Sequence, residues 1–184
     1  MSIEDFEKLW RVLGTDSHIT GNGYRVLIYL LFNGEATQSE IAKNTGWHIS
    51  NISKAVKRLY ENNLVECKVV NQKIKYFFNS KYVLLKETEM KAENNQNWEI
   101  NSQMDMTTLK QLFIRVSDDS RMSANTFAVY GDICLYGPTT RRQVWERRNW
   151  KVSGVDRSFQ KLITWGLLEC KQEDGKNIYF VKTS

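Results

Sequence analysis

The chain of 184 residues has one proline, three cysteines and two histidines, and these scarcities exclude several classes of protein. Cys67, Cys134 and Cys170 are odd in number and widely spaced, which predicts free thiols and no disulfide framework. Because only His18 and His48 could join them as ligands, a Cys/His zinc site is not expected. We therefore expect no metal and no cofactor.

Long apolar runs are also missing. No stretch approaches the roughly 20 apolar residues that a membrane-spanning helix needs. The first ten residues, MSIEDFEKLW, carry acids where a signal peptide has its apolar core. These absences predict a cytoplasmic protein with no membrane partner. The catalytic motifs G-x-x-x-x-G-K and G-x-S-x-G are absent as well, so an enzyme is not expected.

The residues that are present can build one large core or two small ones. The chain is 41% hydrophobic and 12% aromatic, which argues against general disorder. Its net charge of +5 is modest, but the charge is unevenly placed. Segment 34–78 has seven basic residues against four acidic ones, and segment 137–181 has nine against five. Basic residues concentrated in this way favour a nucleic-acid partner.

The two basic segments are related by an internal repeat. A shift of 103 positions aligns twelve identical residues between 34 and 77 without a gap. The identities include Gly34 with Gly137, Trp47 with Trp150, and the run Glu-Cys-Lys at 66–68 with 169–171. Because the register holds throughout, the sequence predicts an internal duplication.

An amphipathic helix is predicted before each copy. The apolar residues follow the spacing i, i+3, i+4, i+7 in both, at Phe6, Leu9, Trp10 and Leu13 and at Leu109, Leu112, Phe113 and Val116. We expect these two faces to pack on each other across a pseudo-two-fold axis, which would make the monomer an internal dimer. The predicted division is a first unit at 1–82, a polar linker or exposed helix at 83–104, and a second unit at 105–184.

Each copy shows the element order of a winged helix. In the first, a core helix at 24–32 ends at Asn33-Gly34, and Thr37 with Glu40 forms a capping box that opens a short helix at 38–44. A longer helix to Asn62 and a hairpin follow, with strands at 64–70 and 75–78 joined by 71–73. The second copy repeats this order with helices at 141–148 and 153–165, a cap at Thr140 and Gln143, and an Asp-Gly turn at 173–176.

The first copy resembles a known family over its helix-turn-helix. The segment TQSEIAKNTGWHISNISKAVKRLYENNLVE is similar to that of MarR-like winged-helix regulators, and TRRQVWERRNWKVSGVDRSFQKLITWGLLE is a weaker match. The resemblance implies a mainly α fold with small β-hairpin wings, in two winged helix-turn-helix units. It also implies that the longer helix enters the major groove of DNA while the hairpin lies along the phosphate backbone.

Candidate DNA-binding residues follow from these positions. In the first copy, small polar and basic residues at the start of the longer helix suit base edges, and later basic residues suit phosphates. They are Ser50, Asn51, Ser53, Lys54, Lys57 and Arg58, with Lys73 and Lys75 on the wing. The second copy offers Arg141, Arg142, Arg147 and Arg148 on the short helix, then Lys151, Ser153, Arg157, Gln160 and Lys161, with Lys176 on the wing. Trp47 and Trp150 are interpreted as core packing.

The amino-acid sequence therefore predicts a protein that binds double-stranded DNA with sequence specificity. It is expected to act as a pseudo-dimer on two unequal half-sites. A transcriptional regulator and a plasmid or phage replication or transfer accessory factor both fit this description. The alternative is a tandem winged-helix module for protein partners, as in bacterial condensin accessory subunits. Such modules tend to lack a basic reading helix, so the basic residues of the first copy favour DNA.

Overall fold

The structure, a computed structural model, describes residues 1–91, 99–101, 104–117, 119, 121–148, 150 and 152–182. The described residues form nine helices and two antiparallel hairpins. In chain order they are α1 Ile3–Thr15, α2 Gly21–Asn33, α3 Gln38–Thr45, α4 Ile49–Glu61, β1 Val65–Val70, β2 Lys73–Phe78, α5 Ser80–Lys91, α6 Met106–Ser117, α7 Ala124–Tyr136, α8 Arg141–Arg148, α9 Val152–Thr164, β3 Leu168–Glu173 and β4 Lys176–Val181. The fold is mainly α with small β wings, the class that the sequence predicts.

Elements α2 to β2 form the N-terminal winged helix, and its local signals act as predicted. Gly34, with φ of 78°, ends α2. The capping box at α3 is present: the Glu40 amide donates to the Thr37 hydroxyl at 3.1 Å, and the Thr37 amide donates to the Glu40 carboxylate at 2.7 Å. Gly46, in the left-handed conformation at φ 70°, turns the chain from α3 into α4.

The wing of this winged helix has a tighter turn than predicted. Val70 pairs with Lys73, so the turn consists of Asn71 and Gln72 alone. The expected loop at 71–73 is therefore wrong, and Lys73 begins the second strand. Asn71 and Gln72 both have positive φ, at 50° and 63°, which is the geometry of the two-residue turn that matches the twist of a hairpin.

Elements α7 to β4 form the C-terminal winged helix. Each of them begins 103 positions after its counterpart in the N-terminal winged helix, as α6 does after α1. The bridge that ties Ala36 to Tyr76 recurs between Thr139 and Tyr179. The cap predicted for α8 is present, because the Gln143 amide donates to the Thr140 hydroxyl at 3.2 Å. The chain thus contains two helix-helix-helix-hairpin segments of equal layout.

Two compact units divide the chain, and each combines separate stretches of sequence. The N-terminal unit comprises Asp16–Asn95 and Phe113–Ala124, and the C-terminal unit comprises Met1–Thr15, Gln96–Leu112 and Asn125–Ser184. The helix α1 therefore belongs with the C-terminal winged helix, whereas the expected division placed it in a first unit at 1–82. Of the expected linker at 83–104, residues 83–91 lie in α5, and residues 92–98 and 102–103 lie outside the described part.

Specific contacts hold α1 within the C-terminal unit. The Tyr136 hydroxyl of α7 donates to the Glu7 carboxylate at 2.5 Å. The Arg148 guanidinium of α8 donates to the carbonyl oxygen of Trp10 at 3.2 Å. The predicted apolar face of α1 is buried, with Phe6, Trp10 and Leu13 all 0% exposed. Burial of these side chains stabilises α1, and the hydrogen bonds from Tyr136 and Arg148 join it to the C-terminal winged helix.

Candidate nucleic-acid interface

The exposed face of α4 carries most of the residues predicted for the N-terminal winged helix. The inner apolar stripe of α4 is buried, since Ile52, Val56 and Leu59 are each 1% exposed. His48 caps the helix, and its ring accepts a hydrogen bond from the Ser50 amide. The polar and basic residues on the opposite face are exposed, namely Ser50, Asn51, Lys54, Lys57 and Arg58. The predicted amphipathic arrangement is therefore the one that the fold produces.

The cations on α4 are available to an external anion. Within the described part of the chain, Lys54 and Arg58 form no ion pair. Lys57 lies 3.8 Å from Glu61, but its side chain is 77% exposed, so solvent screens the pair and it contributes little. The helix α4 thus presents three basic side chains to solvent, an arrangement that is compatible with phosphate binding.

Ser53 is held in a hydrogen-bond chain instead of pointing freely into solvent. Its hydroxyl donates to the side-chain oxygen of Gln38, on α3. The Gln38 amide in turn donates to the Tyr76 hydroxyl, on β2, at 3.2 Å. One line of polar groups therefore joins the reading helix, the short helix and the wing. Gln38 and Tyr76 were not predicted as site residues, because the sequence does not show which side chains of separate elements meet.

The wing contributes less positive charge than expected. Lys73 is exposed, but Lys75 lies 3.5 Å from Glu35, which also pairs with Lys68. The hydrogen bond from Lys68, with the charge of Lys75, holds the pKa of Glu35 below its usual value. Lys75 is therefore paired with Glu35, in the loop between α2 and α3.

A cleft of about 550 Å³ separates α3 from the wing. Two lysines lie at this cleft: Lys73, which was predicted, and Lys43, which was not. The other lining residues are Thr37, Gln38, Ser39, Glu40, Ile74 and Tyr76. Lys43 could have been found from its place on the exposed face of α3, between the buried Ile41 and the helix end.

The C-terminal winged helix exposes a smaller share of its predicted residues than the N-terminal one. Those in solvent are Ser153, Arg157, Gln160 and Lys161 on α9 and Lys176 on the wing. Lys151 lies outside the described residues. Arg142 is exposed, but its guanidinium donates to the Glu146 carboxylate at 2.7 Å.

Arg141 is engaged by three neighbours. Its guanidinium lies 3.2 Å from the Asp156 carboxylate on α9. The same group lies 5.2 Å from the centre of the Tyr179 ring and 5.7 Å from that of Phe159, within range of cation–π attraction. Arg141 and Asp156 occupy the positions that Gln38 and Ser53 occupy in the N-terminal winged helix, 103 residues earlier.

The side chains of Arg147 and Arg148 are buried, which is inconsistent with the predicted contact to phosphate. Their side chains are 6% and 3% exposed, and both pair with Asp132 of α7, whose side chain is 1% exposed. Arg147 also donates to the Thr139 hydroxyl at 2.9 Å. A buried carboxylate attracts these cations into the interior, where they join α8 to α7.

The two tryptophans before the longer helices lie at the edge of the core. Trp47 and Trp150 are both half-buried, so the predicted core packing is only partial. The Arg25 guanidinium lies 5.7 Å from the centre of the Trp47 ring. Trp47 therefore combines apolar packing with a cation–π contact.

Two features are absent from the residues that the structure describes. No cluster of three or more metal-ligating side chains occurs among them. None of their helices combines the length and the apolar content that crossing a membrane requires.

A family model for the sugar-specific transcriptional regulator TrmB matches residues 17–92. Among curated proteins, no relative of the chain was found. The matched residues contain the whole N-terminal winged helix and α5, so this segment is similar to the DNA-binding domain of winged-helix transcriptional regulators. The match is to a winged-helix family other than the MarR-like group, whose resemblance stays a prediction.

Proposed function

We propose that the protein is a sequence-specific double-stranded DNA-binding regulator that acts without catalysing a reaction. The observation that carries the proposal is the exposed row of Asn51, Lys54, Lys57 and Arg58 on the longer helix of the segment that matches a transcriptional regulator. Polar side chains at the start of such a helix suit base edges, and the basic ones that follow suit phosphates.

The same row favours DNA over a protein partner. A reading helix that docks on a protein would be expected to expose apolar anchors, because these dominate interface energies. On α4 the apolar Ile49 and the aromatic Tyr60 are also exposed. The three cations, with Ser50 and Asn51, outnumber them, and this arrangement suits a polyanion. The protein-interaction alternative is therefore the weaker proposal.

Two winged helices in one chain support a further part of the proposal. We infer that the equal layout at an offset of 103 positions arose by internal duplication and that the chain acts as an internal dimer on two half-sites. Half-sites read by such pairs lie about one helical turn apart, roughly 10 base pairs. Whether the regulated process is transcription, plasmid replication or transfer depends on the site that is bound.

A selection experiment with a salt titration tests this proposal. The full chain is used to select bound duplexes from a random pool, and affinity for a selected duplex is measured by fluorescence anisotropy at several salt concentrations. We expect an enriched motif and an affinity that falls steeply with salt, because each neutralised phosphate contributes about −0.9 to the log–log slope. No enriched motif, or an affinity independent of salt, would contradict the proposal.

The control for this titration is a substitution of a lysine away from the reading helix. Lys81, exposed on α5, is changed to alanine, and its salt slope is compared with that of the wild type. An unchanged slope is expected, since α5 is not part of the proposed interface. Footprinting on the selected duplex then measures the length of the site.

A further inference from the structure

We infer that base readout is confined to the N-terminal winged helix, where Gln38, Asn51 and Ser53 carry it, and that the C-terminal winged helix holds DNA without reading sequence. This inference rests on the proposed function and assigns different roles to its two halves.

The inference begins from a paired exchange of residues between the two winged helices. Gln38 and Ser53 meet through a hydrogen bond between α3 and α4. Their counterparts Arg141 and Asp156 meet through an ion pair of 3.2 Å between α8 and α9. Both partners of the contact differ together, so the same junction is built with neutral groups in one half and charged groups in the other.

The neutral pair is able to exchange its partners for a base. A glutamine amide offers both donors and an acceptor, and it pairs with adenine through two hydrogen bonds. A serine hydroxyl rotates to donate or to accept. If Gln38 leaves Ser53 and Tyr76, only neutral groups are left, and the base or water satisfies them at small cost.

The charged pair resists such an exchange. The Arg141 and Asp156 side chains are 32% and 42% exposed, so their ion pair alone holds weakly, and the rings of Tyr179 and Phe159 add to the hold on Arg141. Opening the pair on DNA would leave an acceptor-only carboxylate close to phosphates while water is excluded, and like charges at short range repel strongly in such an environment. Arg141 and Asp156 therefore keep each other and do not reach a base.

The second difference between the two longer helices is a missing side chain on α9. Gly154 stands where α4 has the exposed Asn51, so the C-terminal reading helix has no side chain at this position. Packing does not require the glycine, since the nearest heavy atom to an added Cβ would be an Asn125 nitrogen at 3.9 Å. Packing therefore does not explain the glycine, and α9 has one side chain fewer than α4 for contact with a base.

The exposed cations of the C-terminal half suit a different task. Arg157, Lys161 and Lys176 are exposed and can neutralise phosphates, which fixes position on a duplex without sequence information. The selected motif should then have one specified half, while the footprint covers a second half of variable sequence.

Reciprocal grafts between the halves test the inference in the full chain. One variant, Gln38→Arg/Ser53→Asp, gives the N-terminal half the charged pair. The matched variant, Arg141→Gln/Asp156→Ser, gives the C-terminal half the neutral pair. For each, the preference is measured as the affinity for the selected duplex divided by that for a scrambled duplex of equal length and base composition. Circular dichroism melting confirms that each variant is folded.

We expect the first variant to lose at least about fivefold in preference, since a good side-chain pair to a base discriminates by about 5- to 150-fold. The second variant should stay within about twofold of the wild type. An equal loss in the second variant, or an unchanged preference in the first, would overturn the inference while leaving DNA binding intact. A wild-type chain that selects no duplex would instead overturn the proposed function.

A second matched pair of variants tests the inference with single substitutions, in case the graft variants misfold. Asn51→Ala removes an exposed side chain from α4, and Gly154→Ala adds one to the equivalent site on α9. We expect the preference to fall in Asn51→Ala and to stay unchanged in Gly154→Ala. The opposite pattern would place readout in the C-terminal half and refute the inference.

Discussion

The Arg148 guanidinium lies against the Asp132 carboxylate in the interior of the C-terminal unit, with 3% and 1% of the two side chains exposed. Arg147 shares the same carboxylate at 3.3 Å. Two cations from α8 thus converge on one anion from α7. This arrangement removes half of a basic cluster that the sequence alone would assign to DNA, and it gives that cluster a role in stability.

The first prediction concerns Asp132. Asp132→Ala should lower the free energy of unfolding of the C-terminal unit by about 3–5 kcal/mol, because two buried guanidinium groups lose their counter-charge. Urea denaturation measures the change. Glu146→Ala is the control: its partner Arg142 has an 80% exposed side chain, so solvent screens the pair and the loss should be far smaller. Equal effects in both variants would show that burial of the pair does not matter.

The second prediction concerns the close approach of Arg148 to Gly14, near the end of α1. A Cβ at Gly14 would lie 1.5 Å from Nη1 of Arg148, which Asp132 and the Trp10 carbonyl hold in place. Gly14→Ala should therefore destabilise the protein, by about 1–3 kcal/mol as in other overpacked cores.

Gly154→Ala is the matched control for that substitution. It lies inside α9 with open space around the added Cβ, so it should stabilise the protein by up to about 1 kcal/mol. Thermal melting of the two variants shows whether each substitution raises or lowers the melting temperature. A melting temperature that rises in Gly14→Ala would show that Arg148 moves aside without cost.

The third prediction tests the assignment of α1 to the C-terminal unit. Trp10→Ala removes a fully buried side chain, which typically costs about 3–5 kcal/mol. We expect amide hydrogen exchange to speed up in α7, α8 and α9 and to change little in α2, α3 and α4. Loss of protection in α2 to α4 alone would return α1 to the first unit, as the sequence suggested.

The fourth prediction concerns the reading helix. Lys54→Ala and Lys57→Ala should each weaken binding to the selected duplex, by up to about 1–3 kcal/mol, without changing the melting temperature, because both side chains are exposed. Ile52→Asp should instead unfold the N-terminal winged helix, since it places a charge where the side chain is 1% exposed. Unchanged affinity in both lysine variants would exclude α4 as the binding surface.

The fifth prediction concerns pH. Burial raises the pKa of the fully buried Cys134 thiol. In the unfolded chain a thiol titrates at about pH 8.5. Below that pH the thiol is protonated in both states, so the contribution of the buried Cys134 to the free energy of unfolding is complete. The contribution is lost as the pH rises further, because only the unfolded chain then releases the proton, at up to about 1.4 kcal/mol per pH unit.

The slope of unfolding free energy between about pH 8.5 and 9.5 checks this, below the range in which tyrosine titrates. Cys134→Ala should flatten the slope, because it removes the buried thiol. Identical slopes in the wild type and in Cys134→Ala would contradict the prediction.

Local patterns in the sequence predicted most of the fold. The caps at Thr37 and Thr140, the Asp-Gly turn at 174–175 and the stripe of Ile52, Val56 and Leu59 depend on residues a few positions apart, and each acts as expected. The turn at Asn71 was placed one residue too long, because Gln72 adopts a positive φ that its residue type does not signal.

What the sequence determined by itself is the set of helices and hairpins and their repetition at 103 positions, because periodicity and capping are properties of neighbouring residues. The tertiary structure alone decided which half receives α1 and which arginines stay in water. The apolar stripes of α1 and α6 are alike, so their spacing does not specify a partner. Likewise, a count of charges does not show that Asp132 lies beneath Arg148, since electrostatic pairing depends on distance in space and not on separation in the chain.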